Sequence, residues 1–290
     1  MLRVFVISYK IEGDKEEVMM IKTILHDFSI EKIAHSGQCF RCNALEKNKY
    51  NVIAFGKYLE IEQHGENVIF YCSKEDYEKI WYPYFDLGTD YKKFVNAVPH
   101  TDEYLTKAVA FGKGIRILKQ DCWEMIISFL ISQQNNIKRI KKIIELLCQT
   151  YGEKGKENGV VYYTFPSIEA LSQATEQELK NCNLGYRGKY VIQTTKSLLQ
   201  TQKIEKIQQM RYNEAKKELL SLYGVGEKVA DCICLFGLHH LEAFPIDTHI
   251  KKILEKQYSN GFPFSVYEGY QGVIQHYLFY YDLFCGEKNV

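Results

Sequence analysis

Two glycines set one residue apart, Gly224 and Gly226, break a run that reads as helix on both sides, from Asn213 to Leu222 and again from about Lys228, within LSLYGVGEKVADCICLFGLHHLEAFPIDTHIKKIL at 220–254. Glycine takes up the positive backbone angles that a tight hairpin needs, so the spacing predicts helix, hairpin, helix. The second helix then opens with amides that have no intrahelical partner, a ready site for a phosphate. The pattern points to a grip on a nucleic-acid backbone that ignores base sequence.

Lys228 is out of place there. A cation in the first turn of a helix opposes the helix dipole, and Lys228 shares a face with Cys232, Leu235 and Phe236. Burial and dipole together are expected to favour the uncharged amine, the form that attacks carbon. Nineteen positions on, after Pro245, Asp247 stands at the head of Thr248-His249-Ile250-Lys251, where a carboxylate caps a helix. Taken singly, Lys228 reads as a surface lysine and Asp247 as a cap.

At 290 residues, with 46% hydrophobic content and 5 prolines, the chain has enough apolar residues for one large or two ordinary packed domains. The net charge is +1; residues 1–98 carry 13 basic and 15 acidic side chains, leaving −2 there and +3 in the rest. Any nucleic acid would therefore be held by a local basic face. No signal-like start and no run of about 20 apolar residues is present, so no membrane association and a cytoplasmic location are expected, nucleoid-associated in a prokaryote or nuclear in a eukaryote. Nine scattered cysteines suit reduced buried thiols; Cys39-Phe40-Arg41-Cys42 has the C-x-x-C spacing without a second ligand pair.

The fold class expected is α+β. Residues 1–98 are read as an antiparallel sheet domain, with strands at Arg3–Tyr9, 50–55, 58–63 and 67–72 rich in β-branched and aromatic residues, and a short helix at Met19–Phe28. The aromatics between Lys74 and Val98 suggest helical turns packed on that sheet. Residues 99–290 are read as all-α, with helices at 121–132, 137–151, 168–173, 176–182 and 266–284, Asp121 and Ser167 as caps, Thr175 with Glu178 as a capping box, and a surface loop at 151–165.

The string GVGEKVADCICL followed by PIDTH resembles the helix-hairpin-helix, Gly/Pro-Asp signature of base-excision DNA glycosylases, most closely the 8-oxoguanine DNA glycosylases. Five other segments resemble that family in the same order: Ser36-Gly37-Gln38-Cys39-Phe40-Arg41, Gly114 to Asp121, Ser132 to Arg139, Leu184-Gly185-Tyr186-Arg187, and Gln275 with Phe279. The resemblance implies a TATA-binding-protein-like sheet at the start of the chain and a helix-hairpin-helix domain after it. It implies a monomer acting on double-stranded DNA that holds 8-oxoguanine opposite cytosine, and no cofactor. Some relatives carry four cysteines after the aspartate for an iron–sulfur cluster; only Cys285 follows Asp247 here.

By the same resemblance Lys228 is the nucleophile that forms a Schiff base and allows β-elimination, and Asp247 stabilises positive charge on the sugar. Gly37 aims a carbonyl at the N7 hydrogen of the lesion, within a segment where Gln38 and Phe40 also serve the substrate. Gln275 reads the pairing edge, and Phe279 and Cys232 bracket the base. Tyr186 is the wedge, Gln134 stands where the family fills the vacated stack, Arg139 and Arg187 contact the orphaned cytosine, and Asn135 and Asn136 belong to the same DNA-binding turn. Gly224, Gly226 and Val229 bring hairpin amides to the backbone, with His249 near the phosphates. Two residues depart from the family: Gln134 replaces an asparagine, which bears on opposite-base preference, and Tyr223 replaces a proline.

Blander roles stay open: Phe279 and Cys232 as core, the arginines as phosphate contacts, His249 as structural. Two other functions also stay open, a glycosylase of this architecture for another base, such as an alkylated base or thymine glycol, and a DNA-binding module without chemistry.

Overall fold

One strand of the sheet is a segment whose composition suggested a helix. The computed structural model describes residues 4–10 and 17–286. Its strands β1 (Val4–Lys10), β2 (Glu17–Ile24), β3 (Cys42–Glu46), β4 (Lys49–Ala54), β5 (Lys57–His64) and β6 (Asn67–Tyr71) make one antiparallel sheet in the order β1-β2-β6-β5-β4-β3. Arg3, where the first strand was expected to start, lies outside the described residues. The helix expected at Met19–Phe28 is instead β2, paired on both sides with β1 and β6. Ile21 and Thr23 face inward while Lys22 and Ile24 face out, a period of two that outweighs the helix propensity of the two methionines. The edge strand β3 has only Cys42 buried, so no apolar alternation announces it.

The inner face of the sheet is closed by aromatic side chains from the following segment. The run from Lys74 to Tyr84 is helical with a π turn at Tyr77–Trp81, and Phe70 meets Tyr77 at 5.0 Å and Phe85 at 5.9 Å between ring centroids. Residues 115–118 then cross towards the helices, tied by Ile117 N donating to Tyr91 Oη (2.8 Å) and Leu118 N donating to Gln38 Oε1 (2.9 Å). Phe40 and Tyr91 belong to the core of the helices, while Leu118 belongs to the core under the sheet, so the two cores interlock.

Beyond this crossing the chain is helical apart from one strand pair. Asp121 caps Cys122–Ser132, Asn136 caps Ile137–Tyr151, and Thr175 with Glu178 forms a complete capping box. The surface loop expected at 151–165 is a hairpin, β7 (Lys154–Glu157) and β8 (Val160–Tyr163). Tyr162 stacks on Tyr58 of β5 at 5.6 Å and donates to Gly56 O, which docks this hairpin on the sheet. The helix expected at 266–284 begins at Gln271, because Gly269 has φ +87° and a short 3₁₀ turn, Phe264–Tyr267, precedes it. All nine cysteines are free thiols, with Cys285 alone exposed; burial pushes both Cys39 and Cys42 above the usual thiol range. No described helix is long and apolar enough to cross a membrane.

Candidate active site

The hairpin between Tyr212–Leu220 and the lysine helix, Glu227–Gly237, is closed by Val225 N donating to Leu222 O (3.1 Å). Only one of its glycines needs a positive angle. Gly224 has φ +83°, and a Cβ there would lie 2.6 Å from Tyr190 Cγ. Gly226 is extended, with φ −99°, and a Cβ on it would meet nothing within 4 Å. What Gly226 supplies is a bare backbone at the start of the lysine helix, on the wall of a cleft.

That cleft, about 900 Å³, brings together stretches far apart in the chain: Gly37 and Phe40, Gln134 to Asn136, Gly226 to Val229, Asp247 to His249, and Phe279. Lys228 enters it half-buried, with Nζ 5.3 Å from the centre of the Phe129 ring. Asp247 stands on the same cleft as the cap of Thr248–Gln257, its Oδ1 accepting from Ile250 N at 2.8 Å. Burial pushes the Cys232 thiol above the usual thiol range, and Cys232 lines the same inner recess as Lys228. His249 bonds Asp282 through Nδ1 at 2.7 Å and sets its ring edge against Phe279.

Behind Phe279 a smaller recess of about 50 Å³ is lined by Gly37, Cys232, Gln275 and His276 together with Lys228 and Asp247. That volume holds a water or two. A flat base enters only if Phe279 moves, because its Cε1 lies 3.2 Å from where a Gly37 Cβ would be. On the recess wall Gln275 is 4% exposed and donates through Nε2 to Pro245 O at 2.9 Å. That bond fixes the amide orientation and leaves Oε1 buried without a partner, an acceptor held for a donor to come.

Several expected contacts are placed differently. Gln38 is fully buried and lines neither hollow; its Nε2 donates to Ser36 Oγ and Arg116 O and lies 3.2 Å from His276 Nε2, so it braces Gly37 from behind. Asn135 and Asn136 spend their side chains on helix ends: Asn135 Nδ2 donates to Ile131 O, and Asn136 Oδ1 accepts from Arg139 N. Gln134, just before them, is left exposed at φ +48°, an uncommon angle for a residue with a side chain. Arg187, expected at the orphaned base beside Arg139, is 4% exposed and donates to Gln133 O, Gln134 O and Leu184 O. A buried guanidinium has to satisfy its donors, and here the carbonyls of the Gln134 turn do so. Arg139 is exposed, Tyr186 is 51% exposed above Arg187, and Val229 is buried with its backbone at the helix start.

Three residues that the sequence did not single out complete the site: Phe129, His276 and Asp282. His276 lies parallel to Phe279, and burial pushes its pKa down to about 3, so it stays neutral. The signal for Asp282 was its spacing, since Gln275, Phe279 and Asp282 fall at i, i+4 and i+7 on one helical face.

Comparison with known proteins agrees with this geometry. Residues 20–126 match the 8-oxoguanine DNA glycosylase N-terminal domain, and residues 127–261 match the HhH-GPD superfamily of base excision DNA repair proteins. The chain is 34% identical over 231 residues to an N-glycosylase/DNA lyase of Saccharomyces cerevisiae, covering 73% of this chain and 60% of that one. It is 36% identical over 146 residues to an Arabidopsis thaliana N-glycosylase/DNA lyase, covering 49% of this chain and 40% of that one. The chain thus spans less than two thirds of the length of each of these two relatives. The crystal structure of a Clostridium acetobutylicum 8-oxoguanine glycosylase/lyase, in complex with double-stranded DNA containing cytosine opposite 8-oxoguanine, superposes with a TM-score of 0.86 at 34% identity, covering 96% of this chain and 97% of that one. With both halves matched in order and a relative of the same length aligned end to end, the chain belongs to the 8-oxoguanine DNA glycosylase family of the HhH-GPD superfamily.

Proposed function

We propose that this chain is a bifunctional DNA glycosylase and AP lyase that removes 8-oxoguanine from duplex DNA, preferentially opposite cytosine, and that it works as a monomer wherever the cell keeps its DNA. The observation that carries the reading is the convergence of Lys228 and Asp247 on one cleft whose inner recess ends at Gly37, Cys232 and the unpartnered Gln275 Oε1. Residues 1–98 are taken as the sheet domain with the helical turns packed on it, and 99–290 as the catalytic domain.

The reacting carbon, C1′, lies inside the duplex, so the nucleotide leaves the stack at a cost of a few kcal/mol. Exposed Tyr186 fills the gap, and Gln134 on its strained turn, with Arg139, faces the orphaned partner. Gly224 and Gly226 bring hairpin amides to the backbone, and His249, held by Asp282, stands by a phosphate. In the recess Phe279 swings to cover one face of the base and Cys232 the other. Gln275 Oε1 accepts from the N1 and N2 hydrogens of a guanine-type edge, and adenine has no such pair of donors. The Gly37 carbonyl accepts the N7 hydrogen of 8-oxoguanine and faces a lone pair in guanine, where N7 is an acceptor.

The uncharged Lys228 amine attacks C1′ as the bond to N9 breaks, and the base leaves with that electron pair and takes up a proton. Asp247 is set to stabilise the positive charge that develops on the sugar. The sugar ring then opens to a protonated Schiff base. Loss of a C2′ proton expels the 3′-phosphate and cuts the strand.

Release of 8-oxoguanine and of 3-methyladenine from otherwise identical duplexes tests the substrate. The reading expects only the oxidised base to come out; release of the alkylated base alone would remove the roles given to Gly37 and Gln275.

A further inference from the structure

The hairpin carries a residue that its own turn does not favour. Leu222 to Val225 form a four-residue turn with a positive φ at its third position, Gly224, and the second position of such a turn is where proline fits best. Tyr223 stands there instead, 44% exposed, so the chain gives up turn rigidity and leaves a large ring in water.

The turn that carries the ring is held in place. Thr194 Oγ1 donates to Tyr223 O at 2.9 Å, and Tyr190 fills the space against Gly224. Tyr223 meets Tyr190 at 5.5 Å and Tyr190 meets Tyr186 at 5.7 Å, so three tyrosines run without a break from the wedge to the hairpin tip. An exposed cation accompanies the run, with Lys189 Nζ 5.8 Å from the Tyr223 ring, while the buried Arg187 guanidinium backs the Tyr186 ring at 4.6 Å. Gln133 Nε2 donates to Gly224 O at 3.0 Å, which joins this strip to the turn carrying Gln134 at the rim of the cleft.

Exposed rings with a lysine beside them at the edge of a DNA cleft are the chemistry that binds unstacked nucleotides, by base stacking and by phosphate pairing. We infer that Tyr223, with Tyr190 behind it and Lys189 beside it, is a second DNA subsite that stacks a base left unpaired next to a strand break. An intact duplex offers no free base face there, whereas the cut strand of the proposed lyase reaction does, so the subsite favours the incised product. The choice of occupant rests on the reading given under Proposed function.

The test is equilibrium binding of the full chain to undamaged DNA, either an intact duplex or the same duplex with a one-nucleotide gap, so that no catalysis is needed. Tyr223→Pro keeps the turn and removes the ring; it is expected to keep or raise the melting temperature while weakening binding to gapped DNA about tenfold, the size of one lost base stack, and binding to intact duplex by less than about threefold. Tyr223→Phe keeps wild-type binding, and Lys189→Ala lowers the salt dependence on gapped DNA by about one ion. Equal weakening on both DNAs, or no weakening on gapped DNA, overturns the inference. Failure of the glycosylase reading shows separately, as wild-type protein that binds gapped DNA with the expected preference and releases no base.

Discussion

Replacing Gly37 by alanine separates reading of the base from cutting of the strand. Gly37 has φ +79°, where an L side chain costs about 1–2 kcal/mol. The added methyl would stand 3.2 Å from Phe279 Cε1 and 3.6 Å from Ile137 Cδ1, the first closer than the roughly 3.5–4.0 Å of an unstrained carbon contact. Phe279 is half-buried and yields outward by a few tenths of an ångström, so the fold survives. At about 2–4 °C per kcal/mol for a chain near this size, the melting temperature falls by roughly 2–8 °C. The larger effect falls on the carbonyl, which moves with the strained backbone as the methyl occupies the floor of the recess. Excision from an 8-oxoguanine duplex, measured as kcat/KM, is expected to drop at least about 100-fold, the scale on which a misplaced buried hydrogen bond discriminates. Cleavage at a preformed abasic site, which has no base to read, should stay within about threefold. Equal loss on both substrates would mean that the methyl obstructs the sugar, and undiminished excision would mean that this carbonyl does not read N7.

Two further perturbations probe the scaffold around the site. His276 stays neutral in the folded protein with a pKa near 3, whereas an unfolded histidine takes a proton near 6.5, so stability is complete above about pH 6.5 and is lost as the pH falls towards 3. The full difference sets an upper bound of roughly 5 kcal/mol, and thermal melts at pH 7 and pH 5 should show wild type losing more than His276→Gln; parallel losses would contradict the assignment. Arg187→Ala removes a buried guanidinium that ties the carbonyls of Gln133 and Gln134 to the start of its own helix and should cost about 2–4 kcal/mol by chemical denaturation, with Arg187→Lys restoring less than half because it lacks the planar fork. An unchanged stability with weakened DNA binding would return Arg187 to the role of a direct DNA contact.

Much of the fold was legible because the chain punctuates it locally. Asp121, Ser167 and the Thr175 to Glu178 box mark helix starts by side chains that reach only three residues. β4 and β5 carry their own alternation. The features that escaped depend on distant partners: β2 is a strand because β1 and β6 flank it, β3 because β4 does, and β7 and β8 because Tyr162 finds Tyr58 across the molecule. The site divides in the same way. The short signatures around Lys228, Asp247, Gly37 and Gln275 pointed to residues that meet in one place, since each sits at a turn or on a helix face whose direction the local sequence sets. Gln38, Asn135, Asn136 and Arg187 are polar residues in those same stretches, and nothing in a linear pattern says whether such a group faces solvent or satisfies a buried carbonyl. For Arg187 that is decided only when the Gln134 turn packs against the helix Arg187–Thr201, and for Gln38 when Arg116 and His276 close around it.

The central claim is that the Lys228 nitrogen bonds to deoxyribose, and borohydride reduction during turnover tests it most directly. Wild-type protein incubated with an 8-oxoguanine:cytosine duplex and borohydride should yield a stable protein–DNA adduct whose cross-linked peptide contains Lys228, and Lys228→Gln should yield none. An adduct of equal yield in both proteins, or none in wild type on a duplex that it demonstrably binds, would contradict the account.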